Sequence, residues 1–227
     1  MSVINLLFSN GLINTNTNSS LAEINDIQFF GDSITYGMNA SVDANCYASL
    51  LATYFNKIKH NNGISGTHLE NYWSGDTNNF RDNVNSWIST KGSNKSLIVL
   101  AYGTNDGRGS ADPAYYTPTK FYNQYNECID IITNKGWGSR DILIVTPFYT
   151  KDSDLSTYGV TRSKYEEFVT QSQNVATNKN TLLFDAYHYM LNNGGDTLVS
   201  SDAVHPNDTG HNTIFTGLKN YLVTKIK

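Results

Sequence analysis

Ser33 in "FFGDSITYG" (29–37) and the pair Asp202 and His205 in "SDAVHPNDTGH" (201–211) are the residue types an acyl-transfer site needs. A serine hydroxyl is a weak nucleophile until a base takes its proton, and a neutral imidazole is suited to that task. Of the five histidines, His205 is the best candidate base. Asp202, three residues earlier on a short turn, can reach the far ring nitrogen, fix its tautomer and stabilise the imidazolium. The charge that develops on the attacked carbonyl oxygen needs donors aimed at it. The backbone N–H groups of Ser33 and Gly66 and the side-chain amide of Asn105 could supply three.

Taken singly these clusters are ordinary turn chemistry, since glycine beside Asx residues marks loops everywhere. Their order is harder to dismiss. Gly31-Asp32-Ser33 follows the apolar run "IQFF" (27–30), and Gly63-Ile64-Ser65-Gly66 follows a weaker one near 58–61. Gly103-Thr104-Asn105-Asp106 follows "SLIVLAY" (96–102), and the fourth cluster precedes the last helical stretch. In open α/β sheets, ligands bind at the carboxyl ends of the strands, the edge where these four clusters would lie. Other polar residues have blander readings. Asp32 braces the nucleophile turn, Asp106 holds its own loop, and His211 packs or caps in the first turns of a helix. His60, His68 and His188 have no ligand-like spacing with Cys46 or Cys128, so no zinc site is expected.

The elements that must position these residues alternate along the chain. "ILIVTPF" (142–148) and "TLLFDAY" (181–187) join the runs above as short, continuous, β-rich segments of the buried parallel-strand type. Helices are expected at 46–57, 79–89, 118–134, 161–178 and 208–225. Thr117 and Pro118 supply start signals for the third, and "NKGWG" (134–138) its glycine stop. This alternation implies an α/β sandwich around a parallel sheet with right-handed crossovers. Residues 1–25 fall outside the rhythm. "VINLLF" and "LINTNT" flank Ser9-Asn10-Gly11, so the segment reads as a tail, or as a hairpin packing on the body or on another subunit. Residues 26–227 read as one domain.

The four blocks resemble those of the SGNH hydrolases, the GDSL esterases and lipases, which are named for a Ser, a Gly, an Asn and a His. Gly31-Asp32-Ser33-Ile34 is similar to the first block, with isoleucine in place of the usual leucine, and Asn62-Gly63-Ile64-Ser65-Gly66 to the second. Gly103-Thr104-Asn105-Asp106 and Asp202-Ala203-Val204-His205-Pro206 are similar to the third and fourth. The resemblance runs from residue 27 to about 215. It implies a flavodoxin-like three-layer α/β/α fold with a central parallel sheet of about five strands. It also implies a Ser33-His205-Asp202 triad, an oxyanion hole from Ser33, Gly66 and Asn105, and no metal or other cofactor.

Family and triad do not choose a substrate. The segments "ENYWSGDTNN" (70–79) and "GRGSADPAYYTPTK" (107–120) offer Trp73, Arg108, Tyr115 and Tyr116 as substrate contacts. Rings with polar tips can stack on sugars, whereas an acyl chain needs an apolar groove that neither loop supplies. The expected activity is therefore removal of acetyl groups from a carbohydrate. A lipase, thioesterase or lysophospholipase on the same scaffold is the alternative within the enzyme class. A non-catalytic glycan-binding module of a surface or virion assembly is the alternative outside it.

Composition narrows the partners. A net charge of −4 over 227 residues, with no Lys/Arg cluster, argues against a nucleic-acid partner. No run approaches the ~18 apolar residues of a membrane span, and no basic residue precedes Lys57, so the charged start of a signal peptide is missing. The compartment stays open: outside the cell or on a virion if the ester sits on a surface glycan, cytoplasmic otherwise. Two distant cysteines read as free, buried thiols.

Overall fold

Ser96–Ala101 and Ile142–Val145 are buried at every residue, as parallel strands covered on both faces must be. They form the centre of a five-stranded parallel sheet in a computed structural model that describes residues 23–72, 75–114 and 116–225. The strands are β1 (Asp26–Gly31), β2 (Ile58–Gly63), β3 (Ser96–Ala101), β4 (Ile142–Val145) and β5 (Leu182–Phe184), in spatial order 2-1-3-4-5. That is the flavodoxin-like order, with its switch point between β1 and β3. The helices are α1 (Ser33–Tyr36), α2 (Tyr47–Tyr54), α3 (Phe80–Trp87), α4 (Thr104–Gly109) and α5 (Pro118–Asn134). They continue with α6 (Asp152–Thr157), α7 (Arg162–Lys179), α8 (Ala186–Asn192) and α9 (Asp208–Lys225).

Two apolar layers follow from the period-2 alternation of the strands. Phe29, Val99, Ala101, Leu143 and Val145 join a core with Tyr47 and Leu51 of α2, Tyr187 of α8 and Ile214 and Leu218 of α9. Phe30, Ile98, Leu100, Ile142 and Ile144 join the other, with Phe80 and Val84 of α3, Phe121, Tyr125 and Ile129 of α5, and Phe168 of α7. The result is the expected α/β/α sandwich. As the sequence predicts, α5 begins at Pro118 with the Thr117 hydroxyl accepting the Lys120 N–H at 3.1 Å. Cys46 and Cys128 are buried free thiols.

The structure departs from the expectations where elements are short. The fourth strand stops at Val145 and the fifth at Phe184, and α4, α6 and α8 occupy segments without a predicted helix. Of the expected N-terminal extension, Ile24 is buried and the Asn25 N–H donates to the Lys95 carbonyl at 2.8 Å. The tail or hairpin reading otherwise falls on residues 1–22, outside the described residues. Among the described residues no helix is long and apolar enough to cross a membrane.

The edge strand β2 alternates exposed and half-buried residues, which explains its weak apolar signal. Its end presses on the turn that follows β1. The Ile64 N–H donates to the Gly31 carbonyl at 2.9 Å, and Asn61 Nδ2 donates to the Thr35 carbonyl at 2.8 Å. A Cβ on Gly63 would lie 2.3 Å from the Tyr36 nitrogen and 2.7 Å from the Thr35 carbonyl carbon, backbone atoms that cannot swing aside. Gly63→Ala should therefore destabilise the fold by about 1–3 kcal/mol, the usual cost of overpacking, as read by urea denaturation. A stability equal to that of the parent would contradict this contact.

Candidate active site

Ser33 is the first residue of α1, directly after β1. The Asp32 carboxylate Oδ1 accepts the Ile34 N–H at 2.9 Å and so caps the one-turn helix that presents the serine. The Ser33 side chain meets His205 across 172 residues of sequence, with Oγ 2.8 Å from Nε2. On the other side of the ring, Nδ1 lies 2.7 Å from Asp202 Oδ2. A carboxylate can only accept, so Nδ1 carries the proton and Nε2 is left to accept from the serine hydroxyl. This is the tautomer a general base needs.

Asp202 is itself held from several sides. Its Oδ1 accepts the Val204 and His205 N–H groups at 3.1 and 3.0 Å. Its Oδ2 also accepts from Asn39 Nδ2 at 2.6 Å. Partial burial would raise its pKa, but the His205 ring and these backbone donors outweigh that and hold the carboxyl below the ordinary aspartate range. Asn39 belongs to the loop after α1, and four further hydrogen bonds tie this segment to the start of α9. The Ser41 N–H and hydroxyl donate to Asp208 at 2.8 and 2.6 Å, Asn45 Nδ2 donates to Asp208 at 3.0 Å, and His211 Nε2 donates to the Met38 carbonyl at 3.1 Å. Buried His211 stacks on Tyr47, and desolvation lowers its pKa, so its part is packing. Sequence reasoning missed Asn39, whose partner lies 163 positions away with no motif to announce it.

Gly66 and Asn105 follow the ends of β2 and β3, which flank β1 in register: Gly31 pairs with Gly63 on one side and Ala101 on the other. Gly66 has φ +78°, and a Cβ there would meet only Asn78 Nδ2 at 3.5 Å. The left-handed backbone therefore favours glycine here, and no protein atom crowds the position. Asn105 Nδ2 donates to the Thr67 carbonyl at 2.9 Å, which ties β3's loop to the Gly66 loop. The amide retains a second N–H.

Behind these loops lies a set of buried carboxyl groups. Asp106 accepts the Leu69 N–H at 3.0 Å and the Glu70 N–H at 2.8 Å, so it braces the loop after Gly66. Burial raises its pKa, pushes Asp32 up to about 7 and pushes Glu70 up to about 9. For Asp32, the nearby Asp106 adds to the burial effect, while the Ile34 N–H and Arg108 oppose it.

The expected substrate contacts divide. Trp73 and Tyr115 lie outside the described residues. Tyr116 is half-buried, stacked on Tyr72 with ring centroids 5.1 Å apart and edge-on to His68 at 5.4 Å. His68 in turn pairs with Asp76 at 2.6 Å, which makes one aromatic wall beside Gly66. The Arg108 guanidinium is engaged by two protein side chains. Nε and Nη2 bind Asp154 at 2.6 and 2.8 Å, and Nη1 donates to Asn105 Oδ1 at 3.2 Å. Asp154, the partner that claims it, was invisible from sequence because it sits on α6, itself unforeseen. Among the described residues no group of three or more His, Cys, Asp or Glu side chains is placed to hold a metal ion.

Residues 29–212 match the model of the GDSL-like lipase/acylhydrolase family. The chain belongs to that family. Among curated proteins, none matches this sequence significantly. Solved structures share the fold. A lipase/acylhydrolase from Enterococcus faecalis is 19% identical with a TM-score of 0.69, over 90% of this chain and 98% of that one. An acetylxylan esterase from Geobacillus stearothermophilus is 19% identical with a TM-score of 0.63, over 88% and 96% of the two chains. A carbohydrate acetylesterase from Sinorhizobium meliloti is 15% identical with a TM-score of 0.67, over 88% and 99%. In this GDSL-family chain the four sequence blocks lie around one edge of the sheet.

Asp32 generates a test of the electrostatics beside the serine. Its folded pKa of about 7 exceeds the ordinary 3.8, so the folded state holds a proton that the unfolded chain has released. Stability from this group therefore falls as pH rises through that interval and is fully lost above it. Asp32→Asn removes the titration, so its melting temperature relative to wild type should improve as the pH is raised from about 4 to about 8. A difference that stays constant across the range would contradict the buried, protonated carboxyl.

Proposed function

We propose that this protein is a serine esterase that releases short acyl groups, acetyl foremost, from a carbohydrate. The unbroken chain of hydrogen bonds from Asp202 through His205 to Ser33 carries this reading. Ser33 Oγ attacks the ester carbonyl carbon as its proton passes to His205 Nε2. The carbonyl electrons move onto oxygen, where the Ser33 and Gly66 N–H groups and the free Asn105 N–H stabilise the charge. Collapse of the intermediate breaks the bond to the alcohol oxygen, which takes the proton from His205 and leaves. Water, deprotonated by the same nitrogen, then cleaves the acyl-serine, releasing the carboxylic acid and restoring Ser33. Throughout, Asp202 stays ionised and stabilises the imidazolium.

Polar and aromatic surroundings support the carbohydrate assignment. The Tyr72–Tyr116 stack beside Gly66 offers a flat face with polar tips to an alcohol group, and the sequence segments 70–79 and 107–120 carry no Leu, Ile or Phe to line a groove for a long acyl chain. The acetylesterase names of two fold neighbours agree with it.

Ser33→Ala should lower kcat on a chromogenic acetyl ester by roughly 10⁴–10⁶ and leave thermal stability near wild type. On one chromophore, kcat/KM should fall steeply from acetyl through butyryl to octanoyl, and acetylated oligosaccharides should release acetate. A preference for octanoyl would replace this reading with a lipase or thioesterase. Retained turnover in Ser33→Ala would remove the triad altogether.

A further inference from the structure

Arg108 lies three residues after Asn105 on α4, on the same helix face, and meets that side chain at its oxygen: Nη1 donates to Asn105 Oδ1 at 3.2 Å. The other side of the amide meets the Thr67 carbonyl, with Nδ2 donating at 2.9 Å. These partners leave the amide one orientation. A guanidinium only donates, so it must face Oδ1, and a carbonyl only accepts, so it must face Nδ2. A flipped amide would set N–H against N–H and oxygen against oxygen.

The guanidinium is in turn fixed by a two-pronged pair with Asp154 of α6, at 2.6 and 2.8 Å, and its carbon lies 4.7 Å from the Tyr158 ring centroid. Both members of the pair are largely buried, with 17% and 6% of their side chains exposed. This is more anchoring than a surface arginine receives, and it converges on the one side chain proposed to contact the oxyanion.

We propose that Arg108, clamped by Asp154, is a positioning residue for the oxyanion hole. It sets the Asn105 amide so that the N–H left free by Thr67 points to the developing charge, and the cation at Oδ1 strengthens that N–H as a donor. Arg108 touches neither the substrate nor the reacting atoms. The inference rests on the assignment of Asn105 as an oxyanion donor.

The test is a double-mutant cycle on Arg108 and Asn105, read by kcat and KM on a chromogenic acetyl ester with melting temperatures recorded in parallel. Lysine at 108 can still pair with Asp154 but has no planar fork to reach Asn105 at the same time. Arg108→Lys should lower kcat by roughly 10-fold or more, part of the 10²–10³ that loss of one oxyanion donor costs, with KM little changed. In an Asn105→Ala background the same substitution should have no effect on kcat, because the group it acts through is gone. Should Arg108→Lys fail to fold, the neutral pair Arg108→Gln with Asp154→Asn carries the same two expectations. Equal kcat losses in both backgrounds, or a raised KM with unchanged kcat, would overturn the positioning role and leave the esterase reading standing. Wild-type turnover in Asn105→Ala would overturn the oxyanion assignment, and the positioning role with it.

Discussion

The 2.8 Å contact between Ser33 Oγ and His205 Nε2 is the geometric constraint that the rest of the structure has to satisfy. It joins the end of the first strand to the turn before the last helix, so both must be fixed relative to one sheet. A hydroxyl–imidazole bond is worth only about 1 kcal/mol net, too little to gather two loops by itself. The packing of α2 and α9 on one face, and the ties from Asn39, Ser41 and Asn45 to the His205 segment, hold the partners in place. The fold organises the site, and the site adds little to the fold.

The same division of labour explains the buried carboxyl groups. Asp32 and Asp106 each satisfy backbone N–H groups in tight turns beside the serine and Gly66, work that a short acceptor does well. Their burial is electrostatically costly, and raised pKa values are the sign of that cost. Arg108 is the cation that relieves Asp32, while its direct bonds go to Asp154 and Asn105. Charge in this region is used to fix loops rather than to meet solvent.

What the sequence makes legible follows from the range of the forces involved. β3 and β4 are buried at every residue and read as apolar runs, β1 keeps its apolar signal in Ile27, Phe29 and Phe30 despite half-buried Asp26 and Gln28, and β2 lies at an edge and carries Lys59, His60, Asn61 and Asn62. The short α4, α6 and α8 lack the periodic turns that announce a helix. Ser33, Gly66, Asn105, Asp202 and His205 could be named because each sits in a compact local motif. Arg108 was legible as a residue at the active edge but not in its role, because its partner Asp154 is 46 positions away on a helix too short to foresee. Asn39 escaped for the same reason. Pairings across the chain are set by tertiary packing, and no local pattern encodes them.

The central claim is that His205, oriented by Asp202, activates Ser33 as a nucleophile, and covalent trapping tests it without reference to any natural substrate. The protein is incubated with an alkyl phosphonofluoridate, and the modified peptide is identified by mass spectrometry while labelling is followed in time. The account predicts a single adduct on Ser33, none there in Ser33→Ala, and labelling slowed by orders of magnitude in His205→Ala. An adduct on another residue, or equally fast labelling of Ser33 without His205, would contradict it.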